Sequence, residues 1–135
     1  MGYYMEQGDT VFKIKEENLP AVLEAIRELH GKETIHDGEN EHHFSWVDED
    51  FHEKGNIKDT LEAWQWEPEF DEEGNIVDIS FSGEKSGDDE ILFRQIAKFV
   101  EHGSFITMHG EDSSDWKWVF EHGQMNTKYR SNEYA

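Results

Sequence analysis

The sequence of 135 residues contains no cysteine, and it has only 12 lysines and arginines against 32 aspartates and glutamates. Without cysteine, neither a disulfide framework nor a thiolate zinc site can form. The formal net charge of -20 argues against direct binding to DNA or RNA, because contacts to phosphates require cations. No apolar run approaches the ~20 residues that cross a bilayer, and residues 1–4 do not resemble a signal peptide. We therefore expect a soluble, strongly acidic protein of the cytoplasm.

Aromatic residues are abundant and indicate a folded domain despite the high net charge. The sequence has five Trp, nine Phe and four Tyr, and each such side chain buries roughly 150–250 Å². They recur at regular spacing, which is not typical of disordered acidic segments. We predict a single folded domain over residues 1–135 with a modest, aromatic-rich core and a frayed tail at residues 129–135.

Apolar residues recur at helical spacing in two segments. The first predicts a helix of about twelve residues that Gly31 ends, and the second predicts a helix that Gly103 ends. A third, shorter helix is predicted from Asp59 to Trp64. The apolar residues of the two main helices are Leu19, Val22, Leu23, Ile26 and Leu29, and then Leu92, Phe93, Ile96, Phe99 and Val100.

Alternating apolar residues predict the strands. Short strands are expected at residues 11–15, 43–47 and 104–109, and β-hairpins at residues 64–82 and again around Trp116, Trp118 and Phe120. Pro68 places its strand at the edge of a sheet. The order of elements predicts the α+β class, with a mainly antiparallel sheet and two or three helices packed on one face.

Enzymatic chemistry finds little support in the residue pattern. The sequence has no Gly-x-Ser-x-Gly motif and no phosphate-binding glycine loop, and residues 83–87 read more simply as a linker. Pairs of carboxylates could act as in glycosidases, but 32 acidic residues make such pairs unspecific. We therefore predict no catalytic residues and a protein that is not an enzyme.

Four of the eight histidines fall in one short, acidic stretch: His36, His42, His43 and His52. Imidazole and carboxylate together suit Zn²⁺, and no cysteine is needed for such a site. The adjacent pair His42 and His43 would point to opposite faces of a regular strand. A structural Zn²⁺ site on these four histidines is one prediction, and solvated loop histidines in an acidic field are the alternative.

The negative charge is concentrated in the middle of the chain. Residues 33–90 carry 20 acidic residues against three lysines, a net of -17, and the remainder carries only -3. Duplex DNA has one charge per ~1.7 Å, so 20 charges correspond to about 34 Å of duplex. This density is typical of a DNA mimic that competes for a nucleic-acid-binding surface, although solubility or a saline habitat would select for it too.

Several segments resemble a family of small acidic proteins that phages and mobile elements encode. They are residues 1–5 (Met-Gly-Tyr-Tyr-Met), residues 43–47 (His-Phe-Ser-Trp-Val), residues 66–69 with 74–76, residues 83–85, and residues 110–112 with 116–120. The resemblance covers most of the chain. It implies a genomic setting in which anti-CRISPR and other anti-defence proteins occur, and hence the cytoplasm of a host cell.

These observations predict a non-enzymatic acidic inhibitor of a bacterial defence protein, most specifically a CRISPR effector nuclease. It would bind the target's basic nucleic-acid-binding surface and block loading of nucleic acid. The expected partner-binding residues are Asp48, Glu49, Asp50, Glu53, Asp71, Glu72 and Glu73. The alternatives are a metal-dependent hydrolase that uses the histidines at 36–52, and a phage accessory protein that binds other proteins without a role in defence.

Overall fold

The computed structural model describes residues 4–30, 47–85 and 87–129, which form three α-helices and six β-strands. The strands are β1 (Met5–Val11), β2 (Trp66–Phe70), β3 (Ile76–Phe81), β4 (Phe105–Gly110), β5 (Asp115–Glu121) and β6 (Gln124–Tyr129). The helices are α1 (Leu19–Arg27), α2 (Ile57–Ala63) and α3 (Asp89–Ile96). Short 3-10 helices lie at Glu16–Asn18, Phe51–Glu53 and Ala97–Phe99. The predicted α+β class is confirmed.

The strands form two antiparallel sheets that meet edge to edge. The larger sheet has the order β1-β4-β5-β6, and β2 pairs with β3 in the smaller one. Both hairpins predicted from the sequence are present, with residues 71–75 as the turn between β2 and β3. Pro68 lies in β2, which pairs only with β3 among the described residues, as expected for an edge strand.

The two sheets are joined between β1 and β3. The backbones of Ile14 and Ile76 exchange hydrogen bonds of 3.0 and 2.9 Å, and Tyr4 forms a second antiparallel bridge with Lys85. Between these two points, the side-chain carboxamide of Gln7 in β1 forms the hydrogen bonds to β3 that a backbone would form in a regular sheet. Its Nε2 donates to the Ile79 carbonyl (2.9 Å), and its Oε1 accepts from the Phe81 amide (2.7 Å).

The helices cover one face of the sheets, and one core unites the three helices with both sheets. Strand alternation directs Trp66, Ile106, Met108, Trp118 and Phe120 into this core, where each is at most 2% exposed. The aromatic prediction is confirmed at the centre, since the ring of Phe93 from α3 lies 5.0 Å from Trp66 and 5.4 Å from Trp118. In the described ranges no helix is long and apolar enough to span a membrane.

Some predicted boundaries are wrong. The first strand is Met5–Val11 and not residues 11–15, although Phe12 and Ile14 are buried as expected. A register shift between Gln7 and Thr10 interrupts the alternation that would have marked it. The first helix has nine residues and ends at Arg27.

The starts of the short helix and of strand β2 also differ from the prediction. Helix α2 begins after Asn56, whose side chain accepts from the Asp59 amide, so Asn56 and not Asp59 is its cap. Trp64 follows α2 and is not part of β2. The predicted strand at residues 43–47, the loop at 31–41 and the tail beyond Tyr129 lie largely or wholly outside the described residues.

Candidate acidic interaction surface

The first group of predicted partner-binding residues lies beside a short helical turn. Asp48, Glu49, Asp50 and Glu53 are all exposed, and Phe51 within the same turn is buried to 2% exposure. The Asp48 amide donates to the Ala63 carbonyl (3.0 Å), which fixes this segment to the end of α2. Burial of one aromatic side chain therefore holds four carboxylates at the surface.

The second group lies in the turn between β2 and β3. Asp71, Glu72 and Glu73 are exposed. Asp71 Oδ1 accepts from the amides of Glu73 and Asn75 (both 2.9 Å), and its Oδ2 accepts from Asn75 Nδ2 (3.0 Å). These bonds, first that from the Asn75 side chain, lower the pKa of Asp71 below its ordinary value. The turn is thus built around a carboxylate that stays ionised.

Helix α1 separates the two acidic groups. Near its beginning, the Glu16 amide donates to Asn75 Oδ1 (2.7 Å), which connects it to the turn of residues 71–75. At its end, Arg27 Nη2 donates to the Lys54 carbonyl (2.7 Å), which connects it to residues 48–54. Nine helical residues span about 14 Å. The structure therefore brings each group together but does not bring the two groups into contact.

Three further exposed carboxylates lie on α1 or directly beside it. Glu17 lies in the 3-10 helix before α1, Glu24 lies within α1, and Glu28 caps its end. Glu24 and Glu28 are four residues apart and therefore lie on the same side. Together with the seven predicted carboxylates they form a set of ten that lie on α1 or in the segments connected to its two ends. We call these ten residues the acidic surface: Glu17, Glu24, Glu28, Asp48, Glu49, Asp50, Glu53, Asp71, Glu72 and Glu73.

Some basic side chains lie close to the acidic surface. Within the described residues, Lys54 Nζ lies 3.6 Å from Asp50 Oδ1, and His52 Nε2 lies 3.7 Å from Glu53 Oε2. Arg94 and Lys98 of the neighbouring α3 segment line the far side of a groove from Glu24 and Glu28. Exposed ion pairs of this kind contribute little to the stability of the fold. Folding stability therefore does not explain why these positions are acidic.

The opposite face of the sheets is acidic as well, but it also carries cations. Glu6, Glu67 and Glu69 are exposed there, and Lys117 and Lys128 face each other across β5 and β6. Lys117 Nζ lies 4.8 Å from the centre of the Phe105 ring. Negative charge is therefore present on both faces of the described structure.

Of the four histidines of the predicted metal site, only His52 belongs to the described residues; His36, His42 and His43 lie outside them. His52 stacks on His30 with ring centres 3.5 Å apart and an interplanar angle of 14°. Among the described ranges, no group of three or more His, Asp or Glu side chains is arranged to hold a metal ion. The zinc site stays a prediction.

Sequence reasoning missed Glu17, Glu24 and Glu28. Their signal was available, because the polar positions of an amphipathic helix follow from its apolar ones. The sequence prediction rests on acids that are adjacent in the chain, whereas these three are separated by apolar residues of the helix.

Comparison of the chain with protein-family models, with curated proteins and with solved structures gives no match. The acidic surface offers carboxylates on an ordered scaffold, which suits the binding of a cationic partner.

Proposed function

We propose that this protein is a non-enzymatic inhibitor that binds a cationic, nucleic-acid-binding surface of another protein through its acidic surface. The observation that carries the proposal is the set of ten exposed carboxylates on α1 and in the segments connected to its two ends. Such a set presents many negative charges on one ordered scaffold, as a segment of nucleic acid does. Bound in this way, the protein would exclude nucleic acid from the partner's groove.

The partner we propose is a bacterial defence protein, most specifically a CRISPR effector nuclease. The resemblance of the sequence to small acidic proteins of phages and mobile elements supports this choice. Such nucleases hold their nucleic acids in a positively charged channel. An acidic protein that occupies the channel before loading would block it both sterically and electrostatically.

The test is a binding assay between the full chain and a guide-free CRISPR effector nuclease, together with competition against guide RNA. We expect rapid association at low salt and an affinity that falls steadily as ionic strength rises. An affinity that does not change from low to high salt would contradict the proposal. A pull-down from bacterial lysate extends the test to other nucleic-acid-binding proteins.

Two triple variants with the same change of charge locate the interaction. Glu17→Gln, Glu24→Gln and Glu28→Gln remove charge from α1 and the residues beside its ends. The control changes Glu6, Glu67 and Glu69 to Gln on the opposite face. We expect the α1 variant to lose roughly tenfold in affinity, since an exposed ion pair contributes roughly 0.2–1 kcal/mol. The control should retain its affinity. Equal losses in both variants would mean that net charge alone, and not this surface, determines binding.

A further inference from the structure

The tripeptide Glu-His-Gly occurs twice in the sequence, at residues 101–103 and 121–123. The first copy lies in the loop before β4, and the second begins at the end of β5 and forms the turn to β6. The backbone holds the two copies together, because the Gly103 amide donates to the Phe120 carbonyl (3.0 Å) and the Phe120 amide donates to the Ser104 carbonyl (2.9 Å). The two histidines, 20 residues apart in the chain, therefore lie side by side.

These two histidines, His102 and His122, are exposed, and their ring centres lie 4.7 Å apart with an interplanar angle of 47°. His102 Nδ1 accepts from the His122 amide at 3.3 Å, so this nitrogen carries its lone pair and points toward the second histidine. Within the described residues this long bond is the only hydrogen bond of either side chain. It leaves Nε2 of His102 and both ring nitrogens of His122 free to bind a ligand.

The ring geometry fits coordination of one transition-metal ion by both imidazoles. Imidazole nitrogens bind Zn²⁺ at about 2.0–2.1 Å, and two rings in adjacent coordination positions then have centres roughly 4.5–5.2 Å apart. The lone pairs lie in the ring planes, and an inclination of 47° allows them to meet at one ion. The pair of His30 and His52 differs, because its rings lie 3.5 Å apart and nearly parallel, at 14°, so their lone pairs cannot meet.

The residue type at position 122 is unusual for its place in the turn. His122 and Gly123 both have positive φ angles, 53° and 78°, as a type I′ hairpin turn requires. Asn, Asp and Gly are preferred at such positions, because they adopt this conformation most readily. Formation of the turn therefore does not explain a histidine here, whereas ligation of a metal ion does.

We propose that His102 and His122 together bind one divalent transition-metal ion of the class of Zn²⁺, Ni²⁺ and Cu²⁺, which favours imidazole ligands. The ion would fasten the turn between β5 and β6 to the loop before β4. Among the described residues no third His, Asp or Glu side chain is arranged to join the pair, so water completes the coordination. Lys98 borders the turn at Gly123, and its Nζ lies over the Phe99 ring, 5.3 Å from the ring centre.

The first experiment titrates the full chain, without a histidine tag, with Ni²⁺ and follows the amide resonances by NMR. Ni²⁺ is paramagnetic and broadens resonances near its site, so we expect early loss of the amides of Gly103 and Gly123. An excess of diamagnetic Zn²⁺ should displace Ni²⁺ and restore them. Mn²⁺ has a much lower affinity for such ligands, so it should leave both amides unchanged at the same concentration. Broadening confined to other residues, or equal broadening of these two amides by Mn²⁺, would overturn the proposal.

Variants test each ligand separately. His122→Asn suits the turn, and His102→Asn keeps an acceptor for the amide of residue 122, so both should fold like the unchanged chain. Each should weaken Ni²⁺ binding roughly tenfold or more, because the second imidazole binds at a high effective concentration. His109→Asn, which removes an exposed histidine from β4, is the matched control and should leave the binding unchanged. If the double variant at 102 and 122 binds Ni²⁺ like the unchanged chain, the proposal fails.

This inference goes beyond the proposed function, and the two can fail separately. Neither His102 nor His122 belongs to the acidic surface, so both variants should bind the effector nuclease like the unchanged chain. Nuclease binding without any Ni²⁺ at this pair would reject the inference and leave the proposed function supported. Ni²⁺ at the pair without nuclease binding would do the reverse. Broadening at residues 36–52 alone would assign metal binding to the histidines predicted there and would also reject the inference.

Discussion

The indole Nε1 of Trp66 donates a 2.8 Å hydrogen bond to Oδ1 of Asp89, and both residues are buried. The bond joins the edge strand β2 to the first residue of α3. Asp89 also accepts from the Gly87 amide at 3.0 Å, so its carboxylate anchors the beginning of the helix. Burial raises the pKa of Asp89 above its ordinary value, against the opposing effect of these two hydrogen bonds.

Replacing Asp89 with Ala should lower the free energy of unfolding by about 2–3 kcal/mol, because it leaves the buried Trp66 donor without its acceptor. Asp89→Asn should cost less, since an amide oxygen can still accept from Trp66. Urea unfolding followed by tryptophan fluorescence measures both. Asp9→Asn, an exposed change of equal charge, serves as the control, and equal losses in Asp89→Ala and the control would contradict this role.

The stability conferred by Asp89 should depend on pH. A carboxyl whose pKa is raised by folding binds its proton more tightly in the folded state, so its contribution is complete below the unfolded pKa. That contribution is lost as the pH rises through the folded pKa. The difference in unfolding free energy between the unchanged chain and Asp89→Asn should therefore be larger at acidic than at neutral pH. A difference that is constant over this range would show that the carboxyl titrates as it does in the unfolded chain.

Gln7 should be required for the junction of the two sheets. Gln7→Ala leaves the Ile79 carbonyl and the Phe81 amide without the partners that the carboxamide supplies. We expect a loss of about 2 kcal/mol in stability and faster hydrogen exchange at Phe81. Gln124→Ala, an exposed change in β6, is the control. Unchanged exchange at Phe81 in Gln7→Ala would show that the bridges at Ile14 and Tyr4 hold the sheets together without Gln7.

The elements that the sequence predicted well are those in which periodicity and burial coincide. Trp118 and Phe120 alternate with half-exposed residues in β5, and both are buried. The predicted first strand, residues 11–15, begins too late in the chain, because Gly8 and Asp9 interrupt the alternation of β1 at the register shift. The sequence does not predict that Gln7 joins the two sheets, since the backbone groups it contacts lie more than 70 residues away in the chain.

The candidate sites show the same division. Exposure of the acidic group at residues 71–73 follows from turn chemistry, in which Asp and Asn side chains bond to nearby backbone amides. The placement of the two acidic groups at opposite ends of α1 depends on tertiary packing through Asn75 and Arg27.

A side chain at Gly8 should be destabilising, because a Cβ atom there would lie 2.6 Å from His109 Nε2. His109 cannot move without disturbing its contact with Asp115, whose Oδ1 lies 2.7 Å from His109 Nδ1. Gly8→Ala should therefore destabilise the protein by about 1–3 kcal/mol. Gly55→Ala is the matched control, since its Cβ would meet nothing within 4 Å.

A double variant tests the cause. Adding His109→Ala to Gly8→Ala removes the clash, so the double variant should be more stable than the sum of the two single losses implies. Thermal or urea unfolding of the four proteins completes the cycle. Strict additivity would mean that the strain of Gly8→Ala lies in the backbone and not at His109.

Asn75 should control the ionisation of Asp71 within the acidic surface. In Asn75→Ala the side-chain bond to Asp71 Oδ2 is lost, together with the acceptor for the Glu16 amide. The pKa of Asp71 should then rise toward its ordinary value, which ¹³C NMR of the carboxyl carbon measures. Because a lowered pKa keeps the carboxylate charged as the pH falls, the unchanged chain should retain binding to a cationic partner at a more acidic pH than Asn75→Ala. Asn126→Ala, exposed on β6, should leave both the pKa of Asp71 and the binding unaltered, and an equal pKa in all three proteins would assign the shift to the backbone amides alone.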